Sequence, residues 1–296
     1  MRDPRIVVVG DLILDLLAKV EGEVAFGTDT FTRIHAAAGG SGANAAAWLA
    51  ASGIETHFIA RIGDDLFGRF LAEDLRRTGV EPHLALDSDL GTGKVFVLVD
   101  GAGERTMITD RGAGEALGPE DLPSGVFSAG HLHLSGYTLS GGSRRETALK
   151  AQRLADACGM TTSVDPSSVS LLEALTPERF LGWTRGAEVC FPNLQEGALL
   201  TGYTEPDRIA DALLDDYGAV VLKLGPDGAL YADVSGERAR VPAAPARVVD
   251  TTGAGDALCA GFLATRLSGG SPSEALLRGV EFAARAVEEV DGRPEV

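Results

Sequence analysis

The most constraining feature of this chain is a rhythm of short β-prone runs that stop at glycine and give way to helix-forming stretches. RIVVV (5–9) ends at Gly10, and HFIARIG (57–63) closes on Gly63. HLHLSG (131–136), TTSVDPS (161–167), EVCFPN (188–193) and AVVLKLG (219–225) read as further strands. Between them lie GGSGANAAAWLAASG (39–53), a glycine turn entering an alanine-rich helix, and DDLFGRFLAEDLRRTG (64–79), an amphipathic helix with a glycine stop. RRETALKAQRLADACG (144–159) is a third helical stretch. Strands alternating with helices make βαβ units, which predict a mostly parallel sheet covered by helices on both faces. Two stretches break the rhythm. Residues 16–37 alternate weakly around EGEVAFGTD, and KVFVLVDGAGERTMIT (94–109) has two β-prone arms around DGAGE, the pattern of a hairpin. They predict a small discontinuous β lid, formed by about 12–36 and 93–112, on a single domain spanning 1–296.

Charge narrows the partners. With 43 acidic against 26 basic residues the net charge is −17, which argues against nucleic acid and against a membrane surface, both anionic. A small anion is still acceptable, because backbone dipoles can hold phosphate on an acidic protein. Cys158, Cys190 and Cys259 are few, odd in number and widely spaced. They show neither a disulfide framework nor metal-ligand spacing, so a reducing cytoplasm is the expected setting. The apolar N-terminus is interrupted by Asp11 and Asp15, unlike a signal peptide, and no segment approaches a membrane span in length.

The chemistry concentrates in VVDTTGAGDALCAGF (248–262). TTGAG ahead of an apolar helix makes an anion cradle, since a helix N-terminus presents unpaired N–H groups and glycine lets a ligand approach the backbone. A carboxylate inside such a cradle would repel a bound anion. It makes sense where the anion is a phosphoryl group in transfer and Asp256 takes the proton from the attacking hydroxyl. A lone GAGD would read as an ordinary turn with a first-turn acid; the whole DTTGAGD favours the functional reading.

DTTGAGDA, preceded some two hundred residues earlier by GGSGANAAAWLAASG, closely resembles the two signature motifs of the ribokinase-like (PfkB) family of carbohydrate and nucleoside kinases. GDLILD, the hairpin, PNLQEG and KLGPDG occur in the family's order, so the resemblance spans nearly the whole chain. It implies a ribokinase-like three-layer α/β/α fold with a β lid. It also implies Asp256 as general base, with the backbone N–H groups of Gly253, Ala254 and Gly255 as the anion hole. Asp250 stands where the family often places a residue of a monovalent-cation loop. The tail departs from the pattern: EFAARAVEEVDGRPEV replaces the family's VTR and glycine turn, at the place of the potassium loop and adenine contacts.

Other motifs admit two readings each. GGSGANAA imitates a dinucleotide fingerprint through Gly40, Gly42 and Ala45, with Asp64 further on, but a dehydrogenase needs nothing of DTTGAGD. In the kinase family this turn lies against the sugar, with Gly39 and Gly40 allowing close approach and Asn44 bonding hydroxyls; the alternative is a capping turn with a buried Asn. Asp11 and Asp15 follow the first strand, where open α/β sheets bind ligands, and suit vicinal hydroxyls; otherwise they are solvated loop acids. Asn193 of PNLQEG reads as a helix cap. The resemblance adds that Asn193 lies near the phosphates and that Glu196 organises water bound to Mg2+. In KLGPDG, Lys223 is a candidate phosphate contact beside a nucleoside turn at Gly225 and Gly228, or a surface lysine. Arg105 in the hairpin is a candidate substrate contact, or a solvated arginine; Arg111 and Asp165 are weaker candidates. His131 and His133 share one strand face without a visible third ligand, which favours packing over a metal.

These readings lead to ATP-dependent phosphorylation of a hydroxymethyl group of a small sugar or sugar derivative, with ATP and Mg2+ and with K+ as an open third requirement. The expected partners are that sugar and ATP, with a homodimer formed through the lid. The alternatives are a nucleoside (adenosine-like) kinase of the same family and a catalytically silent sugar- or nucleotide-binding protein.

Overall fold

The structure is a computed structural model that describes residues 4–20, 22, 24–101, 105–128, 130–289 and 292–294, and the side chain of Arg105 lies outside the described part. In chain order the first half holds β1 (Arg5–Val9), β2 (Ile13–Lys19), β3 (Ile34–Gly39), α1 (Ser41–Ala51), β4 (Glu55–Gly63), α2 (Leu66–Arg77), β5 (Glu81–Asp87), β6 (Lys94–Val99) and β7 (Arg105–Asp110). The middle holds β8 (His131–Ser135), α3 (Gly142–Ala157), β9 (Thr161–Asp165), α4 (Val169–Leu175), α5 (Pro177–Thr184), β10 (Val189–Cys190), α6 (Leu194–Thr201) and α7 (Pro206–Leu213). The last part holds β11 (Ala219–Lys223), β12 (Ala229–Asp233), β13 (Arg238–Val241), α8 (Ala254–Leu267) and α9 (Pro272–Ala286).

The strands form a nine-stranded sheet in the order β13-β12-β11-β10-β9-β8-β1-β4-β5 and a separate four-stranded sheet in the order β3-β2-β6-β7. From β11 to β5 every pairing in the large sheet is parallel, and only β12 runs against it, with β13 antiparallel to β12 at the edge. Strand β1 shows why RIVVV is apolar throughout. Ile6 and Val8 enter one core and Val7 and Val9 the other, so neither face of the strand meets water. The first core is closed by α1, α2, α8 and α9, the second by α3 to α7. The result is the three-layer α/β/α arrangement that the alternating rhythm predicts.

The two stretches that break the rhythm fall in the four-stranded sheet. β2 pairs antiparallel with β3 and parallel with β6, and the hairpin arms pair antiparallel as β6 and β7. This small sheet leaves apolar side chains in the open: Ile34 and Ile108 on one face and Met107 on the other are more than half exposed, and Phe26 and Phe31 in the connection from β2 to β3 are 96% and 93% exposed.

Helix α8 carries the TTGAGD turn at its start, and an aromatic stack seats it on the sheet. The Phe262 ring lies 5.6 Å from Phe191 and 5.8 Å from Tyr231, centroid to centroid, and is 1% exposed. Aromatic pairs at such spacings add to the burial of the rings themselves. Phe262→Ala is expected to cost about 3–5 kcal/mol of unfolding free energy, as for other buried Phe truncations, measured by urea denaturation followed by circular dichroism.

Candidate active site

Two helices meet end-on above the carboxyl ends of the parallel strands, where open α/β sheets bind ligands. Helix α8 begins after Gly253, whose φ is +74°; a Cβ there would stand 2.7 Å from the carbonyl oxygen of Gly292, so only glycine fits. Its first-turn N–H groups have no acceptor four residues back and face outward from the helix end. Helix α1 begins after Gly40, where a Cβ would stand 2.3 Å from the Asp11 carbonyl oxygen. That contact presses the GGSGANAA turn onto the end of β1. Because the strand entering this turn is β3 of the small antiparallel-edged sheet, the turn is not the first crossover of a dinucleotide fold.

Between the two helix ends sits Asp256. Ser41 Oγ donates to its Oδ1 at 2.8 Å and Asn44 Nδ2 donates to its Oδ2 at 3.3 Å. Burial, with the Asp165 carboxylate nearby, pushes its carboxyl up to about 7, against the pull of Ser41, Lys223 and Asn44. A carboxyl so placed exchanges its proton near neutral pH, the requirement for an acid–base group.

Beneath this turn lies a buried ion pair. Lys223 Nζ donates to Asp165 Oδ2 at 2.6 Å, and Cys259 Sγ donates to the same oxygen at 3.2 Å. Burial alone would lower the lysine, but the Asp165 carboxylate outweighs it and holds the ammonium charged; the Asp165 carboxyl is correspondingly held low. From there the ammonium reaches up to the 253–255 turn, 3.2 Å from where a Cβ of Gly255 would stand. The isolated bridge between Asn193 and Lys223 brings α6 alongside. Asn193 Oδ1 accepts from Glu196 N at 2.9 Å and Glu196 Oε2 accepts from Asn193 N at 2.8 Å, a reciprocal cap. Glu196 is 1% exposed, and burial pushes it up to about 7 despite the Lys223 charge. Gly225 and Gly228, with φ of +59° and +90°, turn the chain between β11 and β12.

On the other side of Asp256 the ends of β1 and β2 bring up Asp11 and Asp15. Asp11 is 6% exposed; its Oδ2 lies 3.8 Å from Arg111 Nη1, and its Oδ1 has no partner among the described residues. A buried carboxylate oxygen left over in a cleft is a ready acceptor for a ligand hydroxyl. Arg111 lies over the Tyr137 ring at 4.5 Å. Behind it Arg144, 1% exposed, reaches Glu115 at 3.5 Å. The Asp15 carboxylate packs against Gly39, whose Cβ would stand 2.1 Å from Asp15 Oδ2. Arg111, the weaker candidate, is thus brought beside Asp11, while the side chain of Arg105, the stronger one, lies outside the described residues. His131 and His133 are buried and hydrogen-bonded to Thr161 and Ser163 hydroxyls; burial lowers them to about 3 and about 4, so both are neutral packing groups.

The comparisons with known proteins agree with this geometry. The model of the pfkB family carbohydrate kinases matches residues 3–295. The chain belongs to that family. It is 32% identical to an ATP-dependent ribose-1-phosphate kinase of Halopiger xanaduensis over 90% of this chain and 83% of that one. It is 33% identical to a fructokinase of Klebsiella pneumoniae over 90% of this chain and 86% of that one. Among solved structures, adenosine kinase from Sinorhizobium meliloti superposes with a TM-score of 0.90 at 27% identity, covering 99% of this chain and 97% of that one. The fold is thus ribokinase-like, and the protein is a phosphotransferase acting on an alcohol group.

In this kinase the divergent tail does structural duty at the site. Arg293 Nε donates to Asn44 Oδ1 at 3.0 Å and Arg293 also binds Asp74 and the Gly39 carbonyl, while Trp48 Nε1 donates to the Gly292 carbonyl at 2.9 Å. With its oxygen taken by Arg293, the Asn44 amide turns its nitrogen toward Asp256. Asp250 Oδ1 accepts from the N–H and hydroxyl of Thr252, both at 2.7 Å, and so braces the turn before Gly253. Sequence reasoning did not single out Ser41, Cys259, Arg293 or Trp48. Replacing Asp165 by Asn should leave the Lys223 ammonium buried without a counter-charge and cost about 3–5 kcal/mol. The double replacement Lys223→Met with Asp165→Leu should recover much of that loss, measured by urea denaturation of the single and double variants.

Proposed function

We propose that the protein transfers the γ-phosphoryl group of ATP to a hydroxymethyl group of a small sugar or sugar derivative. The observation that carries this reading is the Asp256 carboxyl, held by Ser41 and Asn44 at the start of α8 and raised to about 7, beside the backbone of Gly253, Ala254 and Gly255. In its ionised form Asp256 accepts the proton of the acceptor hydroxyl, and the N–H groups of the 253–255 turn hold the oxygens of the phosphoryl group. Lys223, charged and close beneath Gly255, adds positive potential there.

The donor set fits the cosubstrates. Asp11, with its unpartnered Oδ1, together with Asp15, Asn44 and the backbone at Gly39 and Gly40, offers acceptors for sugar hydroxyls. Asn193 and Glu196, at the start of α6, face the phosphate side. Mg2+ neutralises phosphate charge when bound, and Glu196 would bind its waters rather than the ion itself. Gly225 and Gly228 would let the nucleoside pass the β11–β12 turn, and Asp250 would lie in a monovalent-cation loop for K+. The four-stranded sheet would act as a lid over the sugar, excluding water as a competing nucleophile. Free buried thiols at Cys190 and Cys259 fit a reducing cytoplasm. Among the described residues no helix is long and apolar enough to cross a membrane.

Two outcomes test this reading. Asp256→Asn should lower turnover by roughly 10²–10⁴-fold in a coupled ADP-release assay across sugars, sugar acids and nucleosides. Loss should come without unfolding. The folded carboxyl is raised from 3.8 to about 7, so wild-type stability falls as pH rises between those values, a loss the amide escapes. The variant should therefore melt no lower than wild type at pH 8. In the wild type, kcat/KM should climb with pH toward a plateau above about 7; near-normal turnover of the variant would remove Asp256 from the mechanism. Separately, exposed Ile34 and Ile108, which share one face of the small sheet, support a homodimer paired through that face. Wild type should sediment as a dimer and Ile34→Glu with Ile108→Glu should halve its mass; a monomeric wild type would remove the dimer.

A further inference from the structure

Far from α8, at the N-terminal ends of β4 and β5, a second group of donors converges on the edge of the large sheet. His57 is in register with Glu81 on the neighbouring strand. Glu55 lies two residues before His57 and His83 two residues after Glu81, so all four side chains leave the same face. His57 Nδ1 lies 3.0 Å from His83 Nε2 and 3.4 Å from Glu81 Oε2, and His83 Nε2 lies 3.9 Å from Glu81 Oε1. The three donors fit within 4.8 Å of one another. Ligands at tetrahedral zinc, about 2.0–2.1 Å from the ion, stand roughly 3.3 Å apart, so these three need little movement to share one.

The surroundings suit a metal as well. His57 Nε2 lies 3.0 Å from Glu55 Oε1, the carboxylate–histidine pairing that keeps the ring hydrogen on Nε2 and leaves the Nδ1 lone pair for a metal. Arg5 competes for the same ring: its Nη2 lies 2.6 Å from His57 Nε2 while its Nε pairs with Glu55 at 3.1 Å. When Arg5 donates to Nε2 the ring hydrogen moves to Nδ1, toward His83, and the site closes. Burial is graded, with the side chains of His57, His83 and Glu81 at 3%, 22% and 64% exposure, so the ion has an entry path and a fourth position open to water.

We propose that His57, His83 and Glu81 bind one zinc-class divalent ion that clips the edge strand β5 to β4. The site is remote from the chemistry: β4 runs on from His57 to Gly63 before reaching the ligand-binding ends of the strands, roughly 20 Å at 3.3 Å per residue. Imidazole and carboxylate donors select zinc or cobalt over the Mg2+ that serves the phosphates. Pinning β5 would hold the pairing register of an edge strand that has a neighbour on one side only.

The test is calorimetric titration of zinc into chelator-treated full-length protein, with Co2+ absorption as a readout of coordination. One equivalent per chain is expected, with visible cobalt bands of a four-coordinate site. His83→Gln and Glu81→Gln should each weaken zinc binding by at least about 10–100-fold and abolish those bands. Arg5→Gln should tighten binding by removing the rival for His57. Turnover with MgATP in zinc-free buffer should be unchanged in Glu81→Gln. Absence of saturable binding at about 100 μM zinc, or wild-type affinity in both His83→Gln and Glu81→Gln, would overturn the proposal.

Discussion

Everything at the candidate site depends on one carboxyl shared by two helix beginnings. Ser41 and Asn44 of α1 and the first turn of α8 close around Asp256 from opposite directions. Neither helix could be turned or shifted without breaking one of these bonds. The sheet fixes α8 from below through Phe262, and the Gly40 turn fixes α1 through its contact with Asp11. The position of the carboxyl is therefore over-determined, which is what the proposed general-base role requires.

The same enclosure sets the proton affinity. Three ionisable groups, Asp256, Asp165 and Glu196, are crowded around a single lysine charge. Lys223 is committed to Asp165, its closest partner at 2.6 Å, and only that carboxyl is held clearly low. The other two, buried and further from the cation, rise to about 7. One buried ion pair thus separates a carboxyl held low from two that rise toward neutrality.

Much of the fold was legible because the central strands are apolar on both sides, and RIVVV can hardly be anything else. The edges were harder. EPHLALD at β5 carries a proline, two acids and a histidine because it pairs on one side only, and it does not read as a strand. EVCFPN is a strand for just Val189–Cys190, since Pro192 has no N–H for the ladder. At the site, Asp256, Asn44 and Asn193 were legible because turn chemistry is local and leaves a motif. Arg293 and the Lys223–Asp165 pair leave none: their partners lie 249 and 58 residues away, and no spacing rule connects them. Tail residues that break a familiar pattern carry no local sign that they have taken on new partners.

The bonds from α1 to Asp256 join residues 215 and 212 positions apart. A site closed by such distant segments is absent from any fragment, however well the fragment's own strands and helices form. Loop closure of that length must be met before the contacts reward it, which slows folding. The α1 turn and its oxygen- and nitrogen-bearing side chains must therefore wait, half-assembled and polar, for a helix from the other end of the chain. In a partly folded intermediate that lacks these bonds the Asp256 carboxyl would stand without its two donors, so assembly of the candidate site itself reports that folding is finished.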